Sequence, residues 1–242
     1  ELPLPSPISS LTTFRFLNTE SETGTKSRVV YGFLPYWSIN SAQLQPEMSH
    51  LGYFSLTVGP QGNFVESCDG EVDMGLSRLN SERFLEIADV LKKNNTRLEI
   101  VITQFNHGDI SAFLASEKAQ DVFLAALDNV LLAYPITGVN IDFETSGNTD
   151  QALRDNMTSF MQKLRSHLNT KYSNTQLSID VYASAAKNPQ LWDIPAIAPY
   201  VDYVVVMAYD FHRSSSQKAG PVAPLFGGKD FWEGDINNYL QA

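Results

Sequence analysis

The 242-residue chain carries 17 basic and 27 acidic side chains, so its formal net charge is −10. Nucleic acids and anionic lipid surfaces are disfavoured as partners, because both bind basic protein surfaces. With 43% hydrophobic residues, the chain can build one large core and lies in the size range of a single α/β barrel. Cys68 is the sole cysteine, which excludes an internal disulfide, and no apolar run reaches the roughly 18 residues of a membrane span.

The first predicted segment is a surface arm or linker at residues 1–28. It holds three prolines at positions 3, 5 and 7 among many Ser and Thr residues and shows no sustained hydrophobic period. We therefore expect the ordered domain to occupy residues 29–242.

Short apolar runs alternate with longer amphipathic stretches along the rest of the chain. The short runs predict six strands, at Val29–Leu34, Leu51–Val58, Arg97–Thr103, Gly138–Phe143, Gln176–Tyr182 and Val201–Met207. Residues 81–94, 116–134 and 149–172 have helical spacing, and the first two of these stretches open on Ser with an acidic residue close behind. Repeated strand and helix units predict a parallel sheet with helices around it.

Polar residues follow the carboxyl ends of five of the six predicted strands. The five endings read PYWS, TQFNH, DFE, DVYAS and MAYDFH. In the fourth strand, extended backbone places Asn140, Asp142 and Glu144 on one face and apolar side chains on the other. A solvated strand face would explain one such ending but not five, and active sites of α/β barrels form at the carboxyl ends of the strands. The sequence therefore predicts a functional site at that edge.

Three motifs resemble those of glycoside hydrolase family 18, the chitinase family. The stretch TGVNIDFE resembles the family's strand-four signature D-G-x-D-x-D-x-E, MAYDFH with AGPVAPL downstream resembles its sixth strand, and VVYGFLPYW resembles its first strand. The resemblance covers residues 29–242 and implies a (β/α)8 barrel of the TIM type. The chain holds about six β/α units, so we expect a domain that is truncated before the family's strands seven and eight.

The resemblance also assigns roles to residues in the two main motifs. Glu144 would protonate the leaving glycosidic oxygen, Asp142 would steady the substrate's N-acetyl group, and Tyr209 would hydrogen-bond the acetamide. In this retaining mechanism the acetamide oxygen attacks the anomeric carbon, so one acid and one positioning anion suffice. The same motifs supply three substrate-binding residues, Asn140, Asp210 and Met207.

The activity implied by the resemblance is hydrolysis of β-1,4-linked N-acetylglucosamine polymers without a cofactor or a metal ion. The protein would be secreted or associated with the cell surface or cell wall, where a polysaccharide partner of this kind is found.

The chain departs from the family pattern within the strand-four motif and after the third strand. Thr137 stands where the pattern has the aspartate before its glycine, and Asn140 stands where it has the next aspartate. The neutral Asn140 side chain can hydrogen-bond Asp142 but cannot share a proton with it. Residues 103–106, TQFN, replace a Ser-x-Gly-Gly turn and resemble the branch that includes cell-wall and spore-cortex glucosaminidases. Chitin and peptidoglycan both remain open as substrates. A non-catalytic sugar-binding module is a third alternative, disfavoured because Glu144 is present.

Aromatic side chains are candidates for stacking on sugar rings, because they offer a large flat apolar surface. The candidates are Trp37, Tyr36, Phe105, Trp192, Phe211 and Trp232. We assign Trp37, Tyr36 and Phe105 to substrate binding, and Trp37 is the strongest of them because it follows the first strand.

Metal binding has little support in the sequence. His107 and His212 lack the spacing of a zinc-binding pair, which disfavours a metal-dependent deacetylase. The stretch CDGEVD at residues 68–73 lacks the complete calcium-loop pattern, so a solvated loop is predicted there.

Overall fold

The computed structural model describes residues 28–65, 67–68, 71–72, 74–145, 147, 149–228, 230 and 234–237. The predicted arm, except for Arg28, lies outside the described residues, as does the stacking candidate Trp232. The same is true of Asp69 and Asp73 in the predicted loop.

The described residues form a six-stranded parallel sheet and a separate hairpin. The strands are β1 (Tyr31–Pro35), β2 (His50–Thr57), β3 (Ser67–Cys68), β4 (Glu71–Val72), β5 (Arg97–Gln104), β6 (Gly138–Phe143), β7 (Gln176–Tyr182) and β8 (Tyr203–Met207). The main sheet has the order β1-β2-β5-β6-β7-β8, which is chain order, and all its pairings are parallel. Parallel strands in chain order with helical connections are successive units of a β/α barrel, which confirms the predicted fold class.

The hairpin of β3 and β4 was not predicted. Ser67 pairs with Val72 and Cys68 with Glu71 in antiparallel register, within a stretch for which the sequence predicted only a solvated loop. The loop prediction was therefore wrong for the backbone of these residues, because two residues on each side pair with one another.

Helices connect the strands of the main sheet. They are α1 (Met74–Leu79), α2 (Glu82–Lys93), α3 (His107–Leu114), α4 (Glu117–Ala133), α5 (Gln151–Lys171) and α6 (Ile194–Ile197), with 3-10 turns at Tyr36–Ser41, Ala183–Ala186 and Ala198–Tyr200. The predicted starts of α2 and α4 are confirmed, since the side chains of Ser81 and Ser116 cap their first turns.

Helix α3 was missed by the sequence analysis, which assigned its first residue to the ending of the preceding strand. The Asn106 side chain accepts a hydrogen bond from the backbone N–H of Asp109 at 3.1 Å and caps this helix. An asparagine directly before the segment was the available signal.

The hydrophobic core includes a cluster of phenylalanines from helices and strand β6. The Phe113 ring lies 5.7 Å from that of Phe123, 5.8 Å from that of Phe143 and 5.0 Å from that of Phe160, each in an edge-to-face arrangement. Since Phe143 belongs to the apolar face of β6, this packing turns the opposite, polar face of the strand away from the helices. The polar face is thereby available for the candidate site.

Candidate active site

The polar side chains of β6 point into the interior and not to solvent. Asn140 and Asp142 are 0% and 2% exposed, and Glu144, directly after the strand, is half-buried. The backbone N–H of Glu144 still donates to the Gln104 carbonyl at 3.0 Å, so this residue continues the sheet pairing with β5. The predicted alternation is present, but its polar face is buried, which excludes a simple solvated strand.

Asp142 has the most unusual environment of these residues. Its Oδ1 atom is buried and has no hydrogen-bond partner among the described residues. Burial, followed by the negative charges of Asp180 and Glu144, raises the pKa of Asp142 to about 8. Such a carboxyl holds a proton near neutral pH and becomes charged when a positive group or a hydrogen-bond donor approaches it.

Asp180 on β7 is a candidate site residue that the sequence analysis missed. It is 2% exposed, and its Oδ1 atom accepts a hydrogen bond from Asn140 Nδ2 at 2.7 Å. Burial raises the pKa of Asp180 to about 7, the hydrogen bond from Asn140 opposes this rise, and the charges of Glu99 and Glu144 add to it. The signal was available, because β7 alternates like β6 and places Ser178, Asp180 and Tyr182 on one face.

The Asn140 amide is not directed to Asp142. Its nitrogen donates to Asp180 and also to the Ser178 hydroxyl at 2.9 Å, so both amide protons go to β7. The hydrogen bond that this amide could make to Asp142 is therefore replaced by two hydrogen bonds to β7.

Glu144 combines partial burial with hydrogen bonding. Burial raises its pKa above the usual range of a glutamate, while a hydrogen bond from the Tyr182 hydroxyl and the charge of Arg213 counteract the rise, and the charge of Asp210 adds to it. A half-exposed carboxyl of raised pKa meets the two requirements of a general acid, which are access to a ligand and a proton to give.

Tyr209, which follows β8, belongs to the same cluster. Burial raises its pKa to about 12, and the negative charges of Glu144, Asp142 and Asp180 contribute in that order. The side chain is nevertheless 55% exposed, so its hydroxyl is accessible to a ligand. The structure thus brings Asp142, Glu144 and Tyr209 together.

The neighbouring Asp210 has a left-handed backbone conformation with φ of 60°. Its carboxylate lies 3.5 Å from Arg213 Nε in an exposed ion pair. Met207, the last residue of β8, is buried and aligns with Tyr182 of β7. Asp210 is therefore exposed, whereas Met207 is buried at the end of β8.

Two of the aromatic candidates are exposed after strand ends, as a sugar-stacking role requires. Trp37 is 65% exposed after β1, and Phe105 is 54% exposed after β5. Tyr36 contacts Trp37 edge-to-face with 4.9 Å between ring centroids. These side chains leave flat apolar faces accessible at the carboxyl edge of the sheet.

Trp192, another stacking candidate, is a core residue. It is fully buried and packs edge-on against Tyr182 with 4.9 Å between ring centroids. Because it is fully buried, this indole supports Tyr182 and is not accessible to a sugar. Phe211 is half-buried in the turn after β8.

The two histidines near strand ends make hydrogen bonds within the protein. His107 Nδ1 lies 2.8 Å from Thr145 Oγ1, and His212 Nδ1 lies 2.9 Å from the Pro221 carbonyl oxygen. Within the described ranges, no group of three or more His, Cys, Asp or Glu side chains is arranged to hold a metal ion. In the same part of the chain, no helix is both long and apolar enough to cross a membrane.

Comparison with protein families gives one match, to the glycosyl hydrolases family 18 model, over residues 13–242. The matched segment begins within the stretch predicted as an arm. Among related proteins, the probable chitinase 10 of Drosophila melanogaster is 27% identical over 124 residues, which are 48% of this chain and 5% of that protein. The putative sporulation-specific glycosylase YdhD of Bacillus subtilis is 40% identical over 91 residues, or 36% of this chain and 20% of that protein.

Among solved structures, the Ostrinia furnacalis group IV chitinase superposes with a TM-score of 0.74 at 18% identity. The superposition covers 88% of this chain and 61% of the insect protein. The chain thus spans less than two thirds of these relatives, and at this identity the likeness is one of fold.

Proposed function

The chain belongs to the glycosyl hydrolases of family 18, and on that premise we propose that it cleaves β-1,4-linked N-acetylglucosamine polymers with retention of configuration. The observation that carries the proposal is the adjacency of a buried acid with an unpartnered oxygen, Asp142, and a half-exposed acid, Glu144, both of raised pKa. Two such carboxyls side by side on one strand suit a reaction whose nucleophile comes from the substrate.

Glu144 is the general acid in this proposal. Its raised pKa keeps a fraction of the side chain protonated at mildly acidic pH, and its exposed side faces the bound polymer. It gives its proton to the glycosidic oxygen as the bond to the anomeric carbon breaks. The resulting carboxylate then accepts a proton from the water that opens the intermediate.

Asp142 positions the acetamide of the sugar. Its unpartnered Oδ1 accepts the acetamide N–H, which turns the acetamide oxygen toward the anomeric carbon. The negative charge of Asp142 balances the positive charge that develops on the acetamide as the ring closes. The Tyr209 hydroxyl donates a hydrogen bond to the acetamide oxygen and so fixes the orientation of the acetamide.

The remaining predicted residues bind the polymer in this proposal. Trp37 and Phe105 stack on sugar faces and Tyr36 supports the Trp37 ring. Asp210 accepts hydrogen bonds from sugar hydroxyls, Met207 forms the apolar wall of the subsite, and Asn140 holds Asp180 in place. Because the polymer is extracellular, we propose that the protein is secreted or associated with the cell surface or wall, with residues 29–242 as its catalytic domain.

Peptidoglycan is the second candidate substrate. A groove of about 830 Å³ between the segments that follow β6 and β7 is lined by Arg154 and Lys187, although the chain as a whole is acidic. Peptidoglycan carries carboxylates that such cations attract, whereas chitin is neutral. The similarity to a sporulation-specific glycosylase points in the same direction.

The experiment that tests the proposal compares three substrates with the purified protein. These are chito-oligosaccharides, the same oligosaccharides after removal of the acetyl groups, and spore-cortex peptidoglycan. We expect hydrolysis of the acetylated substrates only, because the attacking oxygen belongs to the acetyl group. If peptidoglycan is cleaved faster than the chito-oligosaccharides, and if Arg154→Gln removes this preference, peptidoglycan is the substrate. Binding of chito-oligosaccharides without any cleavage would indicate a sugar-binding module and contradict the proposed activity.

A further inference from the structure

We propose that Asp180 is the second carboxyl of the proposed active site and that it shares a single proton with Asp142. The inference rests on the proposed function, in which Asp142 must be charged while the acetamide carries a positive charge. Asp180 contacts no substrate in this account. It acts through Asp142 and is therefore a positioning residue.

The register of β6 and β7 places the two carboxyls in one layer. Asn140 aligns with Ser178 and Ile141 with Ile179 in parallel register. Asp142 and Asp180 are the next residues of the two strands, and the negative charge of Asp180 acts on Asp142. Aligned residues of adjacent parallel strands point to the same face and their backbones are roughly 4.8 Å apart. Both side chains are 2% exposed. Two acids therefore share one space from which water is largely excluded.

Asn140 fixes Asp180 in this layer. The Ser178 hydroxyl donates its only proton to Glu99 Oε2 at 2.7 Å, so toward Asn140 it can act only as an acceptor. The Asn140 amide must then present its nitrogen to β7, where it donates to Ser178 and Asp180. At the position where the resembled motif has an aspartate, this chain has an amide that holds a carboxyl on the neighbouring strand.

Ionisable groups surround the pair on every neighbouring element, and almost all of them are acids or phenols. They are Tyr31 on β1, Glu99 on β5, Glu144 after β6, Tyr182 on β7, and Tyr209 and Asp210 after β8. Arg213 is the cation whose charge reaches Glu144 and Tyr182. Two ionised carboxylates in this setting would repel one another with little solvent screening, so the pair keeps one proton between them.

Sharing one proton allows Asp142 to change its charge without exchange with solvent. Before substrate binds, the proton is divided between the two carboxyls. As positive charge develops on the acetamide, the proton resides on Asp180, and Asp142 carries the full negative charge. The pair holds one proton before and after the step, so no other acid or base takes part.

The test is a pH titration of the carboxyl carbons by NMR in protein labelled with ¹³C at aspartate. In the wild-type protein we expect two coupled aspartate steps that are clearly separated, with the upper step well above the ordinary range and a single proton held by the pair between them. In Asp180→Asn, which keeps the acceptor oxygen for Asn140, one step disappears and the Asp142 step moves down by roughly one pH unit or more, because a like charge is gone. Asp155→Asn, on the exposed face of α5, is the control that removes an aspartate without altering either step.

A second variant distinguishes the effect of the second carboxyl's charge from a structural effect of changing Asp180. Asn140→Asp combined with Asp180→Asn returns the second carboxyl to β6 and should restore two coupled steps. It should also recover the pH profile of kcat/KM that Asp180→Asn alone shifts. A purely structural role for Asp180 would leave the pH profile unchanged in both variants.

Ordinary aspartate titration of both residues in the wild-type protein would overturn the inference, even if neither variant folds. So would an unchanged Asp142 step in a folded Asp180→Asn protein. If the wild-type protein cleaves no substrate, the proposed function fails, while the titration still decides whether the proton is shared.

Discussion

Two buried acids of the same sheet, Glu99 on β5 and Asp142 on β6, differ in what surrounds them. Each keeps one buried oxygen without a partner among the described residues. The other Glu99 oxygen, Oε2, accepts hydrogen bonds from the hydroxyls of Tyr31 and Ser178, both at 2.7 Å. Burial raises the pKa of both acids, but the next largest influences at Glu99 are these hydrogen bonds, which lower it. At Asp142 the next largest influences are the negative charges of Asp180 and Glu144, which raise its pKa further.

The difference separates an acid held by the fold from one available to a ligand. Glu99 also fills the space left by Gly138, because a Cβ atom there would come within 2.5 Å of Glu99 Cγ. Glu99 is thus matched to its surroundings by hydroxyl donors and by a glycine. Asp142 lacks such matching, and Glu144 beside it faces solvent. We infer that the carboxyl end of β6 is organised for a partner that the protein itself does not supply.

The largest effect should come from Glu144→Gln, which removes the proposed proton donor directly after β6. The amide keeps shape and hydrogen bonding but gives no proton, and general acid catalysis contributes typically ~10²–10⁴ in rate. We expect kcat to fall by that factor with little change in oligosaccharide binding. Glu86→Gln, on the exposed surface of α2, is the control and should retain full turnover. Robust hydrolysis by the Glu144→Gln protein would remove Glu144 from this role.

Glu99→Ala should act on stability. It leaves the hydroxyls of Tyr31 and Ser178 buried without their acceptor, which costs about 1–3 kcal/mol of unfolding free energy. Chemical denaturation measures the loss, and Glu99→Gln, which keeps an acceptor oxygen, should lose less. If Glu99→Ala is as stable as the wild type, the hydrogen bonds from Tyr31 and Ser178 to Glu99 do not stabilise the fold.

Asp142→Asn should change how stability depends on pH. The pKa of Asp142 is about 8 in the folded protein, against ~3.9 in an unfolded chain. The folded state therefore binds more protons than the unfolded state between these values. Stability accordingly falls as pH rises through that window, by at most ~1.4 kcal/mol per pH unit for this group.

Asp142→Asn lacks this titrating carboxyl, so its unfolding free energy does not fall with pH for this reason. The difference in unfolding free energy between the variant and the wild type should therefore shift in favour of the variant from about pH 5 to about pH 8. Urea denaturation at the two pH values measures this change. Parallel pH dependence of the wild type and Asp142→Asn would show that Asp142 ionises normally, and the contrast with Glu99 would then be lost.

The smallest effect is expected for Tyr209→Phe. The change removes one hydrogen bond to the acetamide and no proton donor, which corresponds to ~0.5–1.5 kcal/mol, or roughly a 2- to 12-fold loss in kcat/KM. A loss as large as that of Glu144→Gln would mean that the phenol, and not the carboxyl, transfers the proton.

The main sheet could be predicted because each of its strands has a clear apolar run, and the period of two in β6 identified Asn140, Asp142 and Glu144 as neighbours on one face. Asp180 was missed although β7 has the same alternation, because pairing between strands depends on register and not on local pattern. Whether Trp192 stacks on a sugar or packs in the core could not be decided from the sequence for a related reason. A tryptophan after a strand is exposed or buried according to the path of the following turn, which the sequence does not specify.

In the proposed mechanism the substrate's own acetamide attacks the anomeric carbon, and the anomeric form of the first product tests this step most directly. Proton NMR during cleavage of a β-linked chito-oligosaccharide should show the β anomer first, with the α anomer appearing only through mutarotation. Two successive displacements, by the acetamide and then by water, retain the configuration. Initial release of the α anomer would show direct attack by water and would contradict the account.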